Sequence, residues 1–155
     1  MGTFSKQTCG ILNDLIKINN DRVQGYGKAK EEAKDNAAEL GPVFQKMIDQ
    51  SGNYIHDLGN LVTKYGGTVA DGTTAMGKIY RAWMDLQITF SADDKKNILS
   101  ACGFGEDAAQ RTYKMALDEH ELGEEARSLI AMQKNALKDS HDLIKLYRDR
   151  EKVHA

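Results

Sequence analysis

Apolar side chains recur every three to four residues over four long stretches of the chain, the spacing that puts them on one face of an α-helix. The clearest stretch runs from residues 41–42, with Pro42 in its first turn, to the glycine pair 66–67. Similar patterns predict helices over 8–34, from a capping sequence at 91–94 to 121, and from 124 to 150. With one proline in 155 residues, this predicts a single all-α domain over 1–155. Its core would be an antiparallel four-helix bundle spanning 8–150.

The connection between the second and third predicted helices, residues 67–92, is long. It begins with glycines and threonines, and a short helix is predicted over 78–90. That helix carries Tyr80, Trp83 and Met84 and is apolar nearly all round, so it needs cover on more than one side. Two interpretations remain open: the short helix plugs one end of the bundle, or it is a subunit interface with Trp83 as its anchor.

Each long helix carries a polar residue near the middle of its apolar face. In an antiparallel bundle these residues fall in one layer, to which the second helix could add a tyrosine: Asn19, Ser51, Tyr54, Glu106 and Gln133. Burying an unpaired carboxylate is costly. We therefore predict that Glu106 accepts hydrogen bonds from Asn19, Gln133 or a tyrosine hydroxyl. On that basis, Glu106→Gln would be nearly neutral or stabilising.

Such a layer is also where four-helix bundles build di-iron centres, which take a Glu from two helices and Glu-x-x-His from the other two. Here the layer offers one carboxylate and no histidine. We therefore predict no intact metal centre and no cofactor, and Glu106 is only a weak candidate for partial metal binding. No serine or cysteine has an evident general base nearby in the pattern, so no catalytic residue is assigned.

Composition narrows the setting of the protein. A net charge of −2 gives no electrostatic footprint for nucleic acid. No apolar run approaches the roughly 20 residues needed to span a bilayer, and the first residues lack a signal-peptide pattern. Two cysteines without a paired framework suggest reduced thiols, and hence a cytoplasmic location.

Three groups of segments carry a family resemblance: 13–26, then 66–74 with 81–84, and 104–109. Together they resemble a bacterial family of ferritin-like four-helix-bundle proteins of unknown function, over roughly residues 10–150. The resemblance implies a ferritin-like fold that lacks most metal ligands, in a bacterial cytoplasm. Gly103 stands where that family tends to carry an acid, which removes a second carboxylate near Glu106.

These observations favour a non-enzymatic structural or interaction protein that associates with its own copies. Any other protein partner is unknown. A link to stress physiology rests on family analogy alone. The alternative is an iron-binding oxidase or storage protein with a degenerate site at Glu106. A third hypothesis is a small-molecule site between the helices near Tyr26, Tyr54 and Tyr113.

Overall fold

The structure is a computed structural model that describes residues 2–35, 37–74, 83 and 95–154. Those residues form four long helices and one short 3-10 turn at Ala38–Leu40, without strands. The helices are α1 (Gly2–Ala33), α2 (Gly41–Lys64), α3 (Lys95–Leu117) and α4 (Glu124–His154). Within the described part of the chain, no helix is long and apolar enough to cross a membrane.

Local sequence accounts for the ends of α2 and the start of α4. Pro42 lies in the first turn of α2, where its missing N–H would have no partner in the helix. Gly66, at a φ of 81°, ends α2 in the left-handed conformation, and the Gly67 N–H bonds the Val62 carbonyl at 2.9 Å. Acidic residues at 124–125 open α4 at the positive end of its dipole. Three observed boundaries differ most from the predicted ones. Helix α1 begins six residues earlier than predicted, α3 ends four residues earlier, and α4 ends four residues later.

Hydrogen bonds between helices fix their directions. Lys30 on α1 bonds Gln45 on α2, and Thr8 on α1 bonds the carbonyl of Glu121 just beyond α3, so α1 is antiparallel to both neighbours. Ser140 on α4 bonds Gln50 on α2, and these two helices are also antiparallel. It follows that α2 and α3 run parallel. A connection between them must return along the bundle, so the all-α four-helix bundle with one long crossover is as predicted.

The first part of the crossover lies against α1. Asn13 donates to the Thr68 carbonyl and accepts from the Ala70 N–H, both at 2.9 Å. Further along, Asp21 accepts hydrogen bonds from the backbone and hydroxyl of Thr74. Asp21 is fully buried because the crossover covers it. The predicted short helix at 78–90 lies outside the described residues, except for Trp83, whose backbone is helical.

Trp83 is 1% exposed and belongs to the core of the chain. Its indole ring lies across Gly25 on α1 and Gly105 on α3, and a Cβ atom built on Gly25 would come within 2.6 Å of it. The ring also packs edge-on against Tyr26, with centroids 5.2 Å apart. The interpretation of Trp83 as an interface anchor is therefore corrected, because the indole is covered by its own chain. Tyr80 and Met84 lie outside the described residues.

Candidate functional site

A polar layer crosses the middle of the bundle and separates two apolar clusters. One cluster extends from Cys9 to Ile18 on α1 with its neighbours, and the other from Tyr26 towards Leu40. The layer between them contains five polar side chains that are at most 1% exposed: Asn19, Arg22, Ser51, Glu106 and Gln133. Buried groups of this kind need internal partners. The layer supplies them for all five side chains except the Gln133 Nε2 atom, which has no hydrogen-bond partner among the described residues.

The centre of the layer is an ion pair between Arg22 of α1 and Glu106 of α3. Arg22 Nε lies 2.5 Å from Glu106 Oε1, and Nη2 lies 3.4 Å from Oε2, so the guanidinium faces both carboxylate oxygens. Both side chains are 1% exposed. The predicted partners of Glu106 were amides or a tyrosine hydroxyl. The structure corrects this, because the carboxylate pairs with a cation.

Arg22 was missed because arginine is normally assigned to a solvated face. The available signal was its position, since it lies on the apolar stripe of α1 between Ile18 and Gly25. The stripe has no apolar side chain between Ile18 and Gly25, and Arg22 occupies the one position of this inward-facing stripe between them.

The other donors of Arg22 extend the layer to α2. Its Nη1 bonds Ser51 Oγ at 2.7 Å and the carbonyl oxygen of Met47 at 3.3 Å. Ser51 donates to Asn19 Oδ1 at 2.9 Å, and Asn19 Nδ2 donates to the Tyr113 hydroxyl at 2.8 Å. One guanidinium thus links α1, α2 and α3.

A tyrosine of α3 carries the network on to α4. The Tyr113 hydroxyl donates to Gln133 Oε1 at 2.6 Å. The structure therefore brings Asn19, Ser51, Glu106 and Gln133 into one chain of hydrogen bonds. Tyr54 does not belong to it: this tyrosine is half-buried and bonds Gln50 instead.

Burial and charge keep the groups around this pair in their ordinary protonation states. Burial alone would lower the pKa of Arg22, but Glu106, together with Tyr26 and Tyr113, more than offsets this, so that pKa lies above its usual value. Burial, and then the nearby Glu106 charge, raise the pKa of Tyr26 and of the Cys102 thiol well above normal. Burial also raises the pKa of Tyr113. The layer therefore presents no thiolate or phenolate nucleophile at neutral pH.

The residues of the layer do not fit a di-iron centre. Its one carboxylate is already neutralised by Arg22, and the remaining groups are amides and hydroxyls, which are weak ligands for iron. Within the described residues, no three His, Cys, Asp or Glu side chains are grouped closely enough to hold one metal ion.

The tyrosines also do not form a shared ligand site. Tyr26 and Tyr113 are fully buried on either side of the polar layer, whereas Tyr54 lies at the bundle surface between α2 and α4. The three predicted small-molecule contacts therefore do not line one cavity among the described residues.

Comparison with known proteins places the chain in one family. The family model described as a domain of unknown function (DUF2383) matches residues 7–119, which cover most of α1 and all of α2 and α3. No curated protein and no solved structure matches the chain.

Proposed function

The chain belongs to the family whose model matches residues 7–119, and we propose that it is a non-enzymatic protein of ferritin-like architecture. Its role is structural: a rigid helical bundle that acts by associating with other protein molecules, first of all with its own copies. One observation carries the proposal. Among the described residues, the one carboxylate of the central layer, Glu106, is occupied by an arginine of the same chain.

The geometry of Arg22 supports this interpretation. In a metal-containing bundle, a cation in the central layer joins helices through carboxylates. Here the guanidinium supplies the positive charge and reaches α2 and α3 from α1 with hydrogen bonds of 2.5 to 3.4 Å. Arginine cannot be deprotonated in a protein, so this cation is permanent. The layer then holds helices together without a bound ion.

The chemistry of the neighbouring groups also argues against catalysis in the layer. Cys102 and Tyr26 remain protonated because their pKa values are raised by burial and by Glu106. Tyr113 both accepts and donates hydrogen bonds within the network. A reactive group needs an exposed or activated form, and these side chains have neither.

Elemental analysis tests the proposal against the iron-binding alternative. The protein is purified without chelator, incubated with ferrous iron in air and desalted, and its iron content is compared with that of Glu106→Gln and of Glu125→Gln, a surface control. We expect less than about 0.1 iron per chain in all three. Stoichiometric iron that is lost only in Glu106→Gln, with circular dichroism showing both variants folded, would overturn the proposal.

A further inference from the structure

No segment among the described residues lies over the side of the bundle between α2 and α4. On the opposite side, the Arg22–Glu106 pair links α1 to α3. The crossover also inserts the indole of Trp83 between these two helices. Between α2 and α4, the side-chain hydrogen bonds of the described residues are Gln50–Ser140 and Lys64–Glu125. We propose that a second copy of this chain docks in the α2–α4 groove, which rests on the self-association in the proposed function and assigns it a surface.

The groove is large and mostly apolar. Its central cavity measures about 670 Å³ and is lined by half-buried apolar side chains from both helices, including Val43, Tyr54, Ala136, Leu143 and Tyr147. Cavities of about 280 Å³ and 330 Å³ continue it towards the two ends of the bundle. No chain segment that the structure describes covers it.

Two exposed apolar side chains of α4 lie beside the groove. Met132 is 56% exposed and Leu146 is 48% exposed. In helical register they flank Ala136 and Leu143 of the groove, towards solvent. Apolar side chains grouped around a groove mark an association site more often than scattered exposed residues do.

The charges at the groove favour a second copy over a strongly charged partner. Three charged side chains line the central cavity: Lys46, Asp49 and Asp139. Asp49 accepts a hydrogen bond from Gln45, whereas neither Lys46 nor Asp139 has a hydrogen bond or ion pair with another described residue. Along the bundle, Lys46 and Asp139 lie on opposite sides of the Gln50–Ser140 contact. A twofold axis that runs diagonally across the cavity, between α2 and α4, places Lys46 of each copy near Asp139 of the other. A uniformly acidic or basic partner would match only one half.

The size of the groove fits a weak, reversible dimer. From Val43 to Lys64 it follows about 20 residues of helix, which at 1.5 Å each is roughly 30 Å. Two helices side by side are about 20 Å wide, so each copy can bury on the order of 600 Å². That is somewhat below the roughly 800 Å² per partner of a standard stable interface.

Sedimentation equilibrium between about 1 and 200 µM tests the assignment. We expect a dimer that dissociates on dilution, and an increase of at least tenfold in its dissociation constant for Ala136→Arg. The matched control is Met115→Arg on α3, an exposed position outside the groove, which should leave dimerisation unchanged. If both variants weaken the dimer equally, or if neither does, the groove is not the interface, although the chain still self-associates.

Charge reversal provides the second test. Lys46→Asp and Asp139→Lys should each weaken the dimer, and the double variant should recover at least half of the lost association energy. Both positions are exposed, so we expect the variants to fold like the parent chain, and circular dichroism checks that loss of the dimer is not caused by unfolding. Two weakened single variants without recovery in the double variant exclude this twofold arrangement. A monomer at every concentration removes both the groove and self-association, whereas only the iron assay decides whether the central layer is a metal site.

Discussion

Removal of the negative charge at Glu106 should be among the most damaging substitutions in this chain. In Glu106→Gln, the guanidinium of Arg22 keeps its neutral contacts with Ser51 and Met47 but loses its counter-charge at 1% exposure. Breaking a buried pair by removing one partner costs about 3 to 5 kcal/mol. Against a typical total stability of about 5 to 15 kcal/mol, that is a large fraction. For a domain of this size, the melting temperature should fall by roughly 6 to 20 °C.

Urea unfolding followed by circular dichroism measures this directly, and a double-mutant cycle isolates the pair. Arg22→Met leaves Glu106 unpaired and should cost a similar amount. The double variant, which leaves no charge unpaired, should be less destabilised than the sum of the two single variants by at least about 2 kcal/mol. Glu125→Gln removes the surface pair with Lys64 and serves as a control with little expected effect.

A clear result would refute the reasoning. If the free energy of unfolding of Glu106→Gln lies within about 0.5 kcal/mol of that of the parent chain, the carboxylate does not compensate a buried cation. Additive single variants in the cycle would lead to the same conclusion. Either outcome would restore the interpretation drawn from the sequence, in which the carboxylate merely accepts neutral hydrogen bonds and an amide replaces it without cost.

Three further predictions concern other parts of the bundle. Gly25→Ala should displace Trp83, the only tryptophan, which destabilises the fold by about 1 to 3 kcal/mol and shifts the tryptophan fluorescence to longer wavelength. The control Gly27→Ala lies in open space two residues later and should be neutral or stabilising. Identical fluorescence spectra of the two variants would contradict the packing of Trp83 on Gly25. Burial would raise the pKa of Asp107, but hydrogen bonds from Lys145 and His141 outweigh burial and lower it. The ionised carboxylate therefore stabilises the fold above the unfolded pKa of about 3.9, and this contribution is lost as pH falls through the lower folded pKa. Asp107→Asn should flatten the plot of unfolding free energy against pH below about pH 4. Burial raises the pKa of Asp21, which disfavours the ionised form in the folded state, so Asp21→Asn should be neutral or stabilising at pH 7; a loss that grows as pH rises from 4 to 7 would contradict this.

The sequence predicted the level of the central layer but not its chemistry. Asn19, Ser51, Glu106 and Gln133 could be aligned because helical periodicity is local and four antiparallel helices share a midpoint. The partner of Glu106 could not be found in this way. A long arginine side chain can reach solvent or a buried carboxylate from nearly the same position, and only the distance between α1 and α3 selects the second.

The crossover shows the same limit. Its apolar composition indicated that Trp83 needs cover, but composition does not say whether that cover comes from the same chain or from another copy. Two glycines on different helices, Gly25 and Gly105, make the space for the indole. They are 80 positions apart, so their joint role is invisible until the helices are packed.

Local sequence patterns were enough to predict an all-α bundle, with four helices close to their observed bounds and a long connection between the second and third. These features follow from side-chain spacing, glycine and proline positions and charges near helix ends, which act over a few residues. Only the packing of the helices shows that Arg22 is buried against Glu106, that Asp21 is covered by the crossover, and that no described segment covers the α2–α4 side. Those facts depend on distances between residues far apart in the chain, and no local pattern encodes them.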